Sequence, residues 1–478
     1  EGDMPTPLVS PMEDIRPPFV LADGTVGFVV RLADDDVAVM QDDTVLWQSS
    51  DANMVTLTSL ESTMGISGSG AFIYSPLVDG SESIWTEAGP LLLEGDPAPD
   101  TAPPTAVVDL DVPRMLPNGG FLFLADVDPS GGGQEVERIL YRSFDGSALN
   151  TIAYLATTDQ VDGEDLRPLT GLDTHYELSL NGGHHIHVVF ADTGNADDDS
   201  RVFVDGSFVA SEGTSTGGTD NWGDFDLVSI NNAGNYLFGG DTDGPSASDV
   251  AMAYNGTVVV REGDTVAGAP LSAPAQIRML AINDREWATF AWNGGGVERA
   301  FFACDAADIP GTAQLVLSVG DTIDTDDDGT GDYTVVDLNA STQEVTRPLS
   351  DTGWLYLDVD LDDGASNREA IIRLPLSCCG NAEIEPAEDC DDGNADDTDA
   401  CLSNCDAASC GDGFVWAGME ECDDANGENT DDCLDTCVAA SCGDGYVWAG
   451  MELCDDGNGE NTDGCLDDCT EASCGDGF

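Results

Sequence analysis

The sequence predicts an all-β chain, a seven-bladed β-propeller over residues 1–377 followed by small disulfide-rich repeat modules over 378–478. Three observations predict it. Short β-branched and aromatic runs alternate with Gly, Asn and Asp turns through the first part, without a convincing amphipathic helix. One strand motif recurs seven times there, and the remainder repeats a four-cysteine frame.

The recurring strand follows a turn and ends on an aromatic residue. It reads DGTVGF at Phe28, SGSGAF at Phe72, NGGFLF at Phe123, NGGHHIHVVF at Phe190, NAGNYLF at Phe238, NDREWATF at Phe290 and DTGWLY at Tyr356. The spacings are 44, 51, 67, 48, 52 and 66 residues. Each unit has room for four short strands, and seven such units describe a propeller; a sandwich array or a β-solenoid is the alternative.

A second element lies between these anchors, an apolar strand closed by Gly-Asp. It reads PLLLEGD at Asp96, VVVREGD at Asp264 and LVLSVGD at Asp321, with weaker forms in VLWQSSD and FVASEG. The unit resembles, loosely, tandem repeats with an N-x-x-G turn before a strand in secreted bacterial proteins, a resemblance that implies no activity. The chain opens on EGDMPTP, the turn that elsewhere follows an outermost strand, and the seventh unit ends on EAIIRLPL without a fourth strand. The missing strand is expected either upstream of Glu1 or from a neighbouring molecule, which would make the protein a polymerising subunit. No signal peptide opens the sequence, so the numbering is expected to begin on a mature or trimmed chain.

From Cys379 the cysteines fall at 390, 401 and 405, then 410, 422, 433 and 437, then 442, 454, 465 and 469, and finally 474. Three complete modules result, 379–409, 410–441 and 442–473, and the start of a fourth. A module this small cannot bury enough apolar surface to fold alone, so two disulfides per module are expected, in any of three pairings, in an oxidising compartment. Zinc is the alternative, but only one cysteine pair per module, such as Cys401 and Cys405, has zinc-like spacing. Cys304 and Cys378 are left over and are expected to pair, stapling the modules to the preceding domain.

CGDGFVWAGMEECDDANGENTDDCLDTC and CGDGYVWAGMELCDDGNGENTDGCLDDC, with a more divergent first copy, resemble the myxobacterial cysteine-rich repeat of secreted and surface proteins. That resemblance spans 379–478. It implies an extracellular or cell-surface location and no defined activity.

There are 93 acidic residues against 14 basic ones, all arginine, for a formal charge of −79. Such a charge argues against nucleic acid and anionic membrane as partners. Its self-repulsion calls for high salt, bound divalent cations or both, which points to a saline, halophilic setting. Without lysine there is no Schiff base, P-loop lysine or lysine isopeptide bond. No apolar stretch approaches the ~20 residues of a membrane span.

The run DTDDDGTGD sets Asp324, Asp326, Asp328 and Asp332 around Gly329, as in the loop of an EF-hand, although Val335 stands where the bidentate glutamate belongs. Each module carries an acidic set between its second and third cysteines. These are Asp391, Asp392, Asn394 and Asp399; Asp423, Asp424, Asn426 and Asp431; and Asp455, Asp456, Asn458 and Asp463. Hard oxygens repeated at fixed offsets in a disulfide-pinned loop suit Ca²⁺, while Asp and Asn also serve as turn formers. All four histidines fall between 175 and 187; His175, His185 and His187 are a weaker candidate for a transition metal, against a plain polar strand face.

No H-E-x-x-H, G-x-S-x-G or Walker A pattern occurs, nor a sialidase-type Asp box, so the sequence makes no case for an enzyme. The expectation is a non-enzymatic, calcium-stabilised structural or adhesive protein of the cell surface or an extracellular filament, its partners further copies, other surface proteins or glycans. The alternative is a secreted glycan-binding or glycan-cleaving propeller, with Trp47, Trp85, Trp222, Trp287 and Trp292 lining a sugar face.

Overall fold

The aromatic anchors occupy equivalent places: each lies in the second strand of an antiparallel sheet, and seven such sheets are the blades of a β-propeller. The structure, a computed structural model, describes residues 12–33, 36–49, 57–59, 64–78, 80–99, 105–116, 119–128, 137–143, 149–155, 160–161, 164–165, 176–190, 200–325, 330–339 and 347–475. Blade 5 shows the plan, with Leu227–Ile230 innermost, then Tyr236–Asp241, Val250–Tyr254 and Thr257–Arg261 outermost. The one helix among the described residues is a single turn, Ile309–Thr312. The chain divides into two compact units, Glu1–Leu374 and Pro375–Phe478.

The core lies between neighbouring blades. Leu237 and Met252 of blade 5 pack with Ile277, Phe290, Trp292 and Phe301 of blade 6, and Ile186 and Val188 of blade 4 with Phe238 and Ala251 of blade 5. Trp85, Trp222 and Trp292 are buried in this way, Trp287 is buried against Phe302 of its own blade, and Trp47 is half-buried, packed against Phe72, Tyr74 and Trp85. The tryptophans therefore fill the blades and do not line a sugar-stacking face.

The Gly-Asp element is a locked turn. Asp96, Asp264 and Asp321 each accept the N–H of the residue three before, Leu93, Arg261 and Ser318, at 3.1, 2.8 and 2.7 Å. The preceding glycines have φ of +89°, +93° and +100°, a conformation that L side chains rarely adopt. Their N–H groups bond to Val107 O, Leu271 O and Val335 O, on the approach to the next blade.

A second set of turns joins blade to blade. Asn181 N donates to Asn232 Oδ1 at 2.6 Å, Asn232 N to Asp284 Oδ1 at 2.7 Å, Asp284 N to Asp351 Oδ1 at 3.0 Å and Asp351 N to Ala22 O at 2.9 Å. This series runs through blades 4, 5, 6 and 7 to blade 1. Val20 N also bonds to Arg347 O at 2.8 Å and Tyr356 Oη to Gly24 O at 2.8 Å. A buried ion pair, Arg347 to Glu177 at 2.6 Å, joins blade 7 to blade 4.

Three seams repeat an acid pair. A third-strand glutamate accepts an N–H from the next blade's first strand, or the residue just after it, beside an aspartate: Glu82 from Leu110 (2.8 Å) beside Asp109, Glu298 from Leu338 beside Asp337, and Glu369 from Ile15 (2.7 Å) beside Asp14. Among the described residues the last strand of blade 7, Asn367–Pro375, has no strand on its outer side, whereas a fourth strand covers the third in blades 1 to 6. The two-residue strand Thr322–Ile323 belongs to that sheet but pairs with its first strand, Tyr333–Asp337.

Burial, reinforced by Asp337 and opposed by Arg278, pushes the Glu298 carboxyl up to about 7; burial and Asp14 do the same to Glu369. A carboxyl with a higher pKa folded than unfolded binds more protons when folded, so its contribution to stability is lost as pH rises through about 7. The melting temperature is expected to rise between pH 8 and pH 5.5 at fixed ionic strength, and the rise should shrink in an E298Q/E369Q variant. A thermal melt series checks both.

Candidate metal centres in the cysteine modules

Each module closes by nested disulfides, first cysteine to fourth and second to third. The pairs are Cys379–Cys405 and Cys390–Cys401, Cys410–Cys437 and Cys422–Cys433, and Cys442–Cys469 and Cys454–Cys465. Loops of this length contribute about 3 kcal/mol per bridge by chain entropy. The sulfurs are consumed, so the zinc reading falls. Cys304 and Cys378 are also disulfide-bonded, and Cys474 is a free, exposed thiol. This density of disulfides fits an extracellular, oxidising environment, and no helix among the described residues is long and apolar enough to cross a membrane.

The first aspartate of each acidic set is a brace for the backbone. Asp391 accepts N–H groups from Gly380, Asn381, Ala382 and Gly393 at 2.7–3.1 Å. Asp423 accepts from Gly411, Gly413 and Ala425, and Asp455 from Gly443, Gly445 and Gly457, at 2.6–2.8 Å. Burial opposes ionisation of all three, but these donors outweigh it and hold the carboxyls below their ordinary value. Lone pairs so engaged are poor candidates for a cation.

The other members of each set do converge. Asn394, Asn426 and Asn458 donate through Nδ2 to Asp399, Asp431 and Asp463 at 3.2, 3.3 and 3.3 Å. In the first module the Asn394 contact holds Asp399 below its ordinary pKa, and Asp392 accepts Asn394 N at 3.3 Å. In the second and third, burial and then the facing Asp431 or Asp463 push Asp424 and Asp456 up. Asp424 Oδ2 and Asp431 Oδ1 are shielded from solvent and meet no hydrogen-bond donor. One oxygen each of Asp424, Asp431 and Asp432 lie within 4.8 Å of one another. Facing carboxylates that each keep one oxygen without a donor fit a hard divalent cation. Sequence reading missed Asp432 because the equivalent positions are Ala400 and Gly464; its signal was the doubled aspartate before Cys433.

The remaining candidates do not assemble. Asp326, Asp328 and His175 lie outside the described residues. Asp332, at the far end of the aspartate run, accepts both the N–H (2.9 Å) and the hydroxyl of Thr325. His184 Nδ1 pairs with Asp205 at 2.7 Å, and His187 stacks between His185 and Phe203, where burial and then His185 lower its pKa to about 4. Among the described residues no histidine joins a group of three potential ligands.

No known family matches the chain, and no curated protein does. Among solved structures it is similar to the Dos1 propeller (10% identity, 77% of this chain, 78% of that one, TM-score 0.34). It is also similar to prolyl oligopeptidase B of Galerina marginata (11%, 76%, 51%, 0.38) and to a GH93 α-L-arabinofuranosidase of Fusarium graminearum (12%, 76%, 93%, 0.32). The chain spans about half the length of the oligopeptidase. At these scores the likenesses carry no inference about chemistry.

Replacing Asp423 by alanine frees three backbone N–H groups and is expected to cost the second module about 2 kcal/mol. Hydrogen exchange should accelerate at Gly411, Gly413 and Ala425 while Gly443 and Gly445 of the third module keep their protection.

Proposed function

We propose that the chain is a non-enzymatic structural or adhesive subunit of an extracellular or cell-surface appendage, working in a saline setting. Its propeller is the body and its cysteine modules, of the kind seen in myxobacterial surface proteins, form a stalk. The observation that carries this reading is the outer edge of Asn367–Pro375, the one blade end among the described residues without a fourth strand. Ile371, Ile372 and Leu374 stand on that strand, and its backbone offers a template for strand addition by a neighbouring copy. Calcium at Asp424, Asp431 and Asp432 stiffens the stalk.

Electron microscopy of native material before and after calcium chelation tests the proposal. Ordered filaments that shorten or fray in chelator are the expected result. Monodisperse particles at native salt and calcium, indifferent to chelator, overturn it.

A further inference from the structure

The exposed large apolar side chains among the described residues concentrate in the cysteine modules, against Phe208 and Leu315 in the propeller. In the second module they include Phe414, Val415 and Met419, with Trp416 half-buried in the same segment. In the third they are Tyr446, Val447, Met451 and Leu453, with Trp448 half-buried. Met419 and Met451 are 70% and 71% exposed, so their own modules leave them uncovered.

A tight turn carries each patch, built the same way twice. Trp416 O accepts N–H groups from Met419 and Glu420 at 3.0 Å, and Glu420 Oε2 accepts Trp416 N at 2.8 Å. Trp448 O accepts from Met451 and Glu452 at 3.0 and 2.9 Å, and Glu452 Oε2 accepts Trp448 N at 2.9 Å. Asp412 and Asp444 hold the approach, accepting Phe414 N and Tyr446 N at 2.9 and 3.0 Å. The apolar side chains are thus displayed on a fixed backbone, which reduces the ordering that binding must impose. Neighbouring modules do not cover them. The second module bonds to the first through Ala417 N and Thr398 O, is followed by the third, and still leaves Phe414 and Met419 open.

Charge decides what could cover them. Residues 375–478 contain 29 acidic residues and no lysine, arginine or histidine. A second copy would bring like charge against like, because the whole chain carries −79. A cationic partner gains from the same field, and the rim carboxylates Asp412, Glu420, Asp444 and Glu452 are held in place to meet it. Methionine and aromatic side chains suit apolar partners of varied shape.

We propose that the second and third modules are a tandem docking surface for a basic, apolar-rich segment of a partner protein. Phe414 and Met419 in one turn, and Tyr446 and Met451 in the next, take the apolar side chains of the segment, while the surrounding carboxylates pair with its lysines or arginines. The first module stands outside this surface, since no aromatic residue or methionine lies between Cys379 and Cys390. The surface uses neither the open edge of blade 7 nor the candidate calcium ligands, and it does not require the chain to form filaments.

Fluorescence anisotropy of labelled peptides titrated with the whole chain tests the proposal. The probes are a short peptide rich in lysine and leucine, its equally charged serine-for-leucine analogue and its glutamate-for-lysine analogue. The first is expected to bind at two sites per chain, and both analogues more weakly by about tenfold or more. F414S/M419S should halve the number of sites. F414S/M419S/Y446S/M451S should remove both while the melting temperature stays at the parent value, because the replaced side chains are exposed. Equal binding of the serine analogue, or undiminished binding to the fourfold variant, overturns the proposal and leaves plain attraction to a polyanion. Binding of the glutamate analogue or of phosphatidylcholine vesicles as tight as that of the lysine peptide, and lost in the fourfold variant, overturns it in favour of an apolar partner or a membrane. Self-association of the parent that the fourfold variant lacks, with no peptide bound, overturns it in favour of a second copy.

Discussion

Too few cations for its anions is the constraint on which the rest of this structure depends. With 14 arginines facing 93 acidic residues, ion pairing can occupy only a minority of the carboxylates. The fold answers by aiming many of the rest at backbone N–H groups. Asp96, Asp264 and Asp321 close the turns that end outer strands, Asp284 and Asp351 link blade to blade, and Asp391, Asp423 and Asp455 organise the modules. A carboxylate held by several amide dipoles stays ionised without a partner side chain. Acidity and architecture are thus the same feature in this chain.

The architecture itself was legible. Every aromatic anchor read from the sequence lies in a second strand, and every well-formed Gly-Asp element follows an outer strand, because both depend on local chemistry: a turn, a β-rich run and a glycine with positive φ. The acid pairs at the blade seams were not legible. Glu82 meets Leu110, and Glu369 meets Ile15, across sequence separations that no local pattern records. The sequence also does not separate the two roles open to its acidic sets, for a related reason. A turn brace and a cation ligand have the same composition, so Asp423 and Asp424 look alike in the sequence and differ only in how many N–H groups reach them. The tryptophans were ambiguous by the same logic, since an aromatic at a blade seam and one on a sugar platform are indistinguishable until burial is known.

The junction between blades 7 and 1 shows which contacts accompany an outer layer without a fourth strand among the described residues. The inner contacts of a full propeller are present there: a turn-to-turn bond from Asp351, the Val20–Arg347 link and the Glu369–Ile15 latch. Among the described residues this junction is held by inner and middle strands, so the strand addition proposed above would meet a finished scaffold rather than one it must first organise. Preorganisation of this kind lowers the entropic cost of association.

Within the cysteine modules, Ala417 N bonds to Thr398 O at 2.8 Å, and one repeat later Ala449 N bonds to Thr430 O at 2.7 Å. The second and third modules therefore grip their predecessors by the same contact, and a further copy needs no interface that the chain does not already contain. Such an array is a ruler: duplicating or deleting one module-length segment of the gene alters reach by a fixed increment while the joints stay as they are.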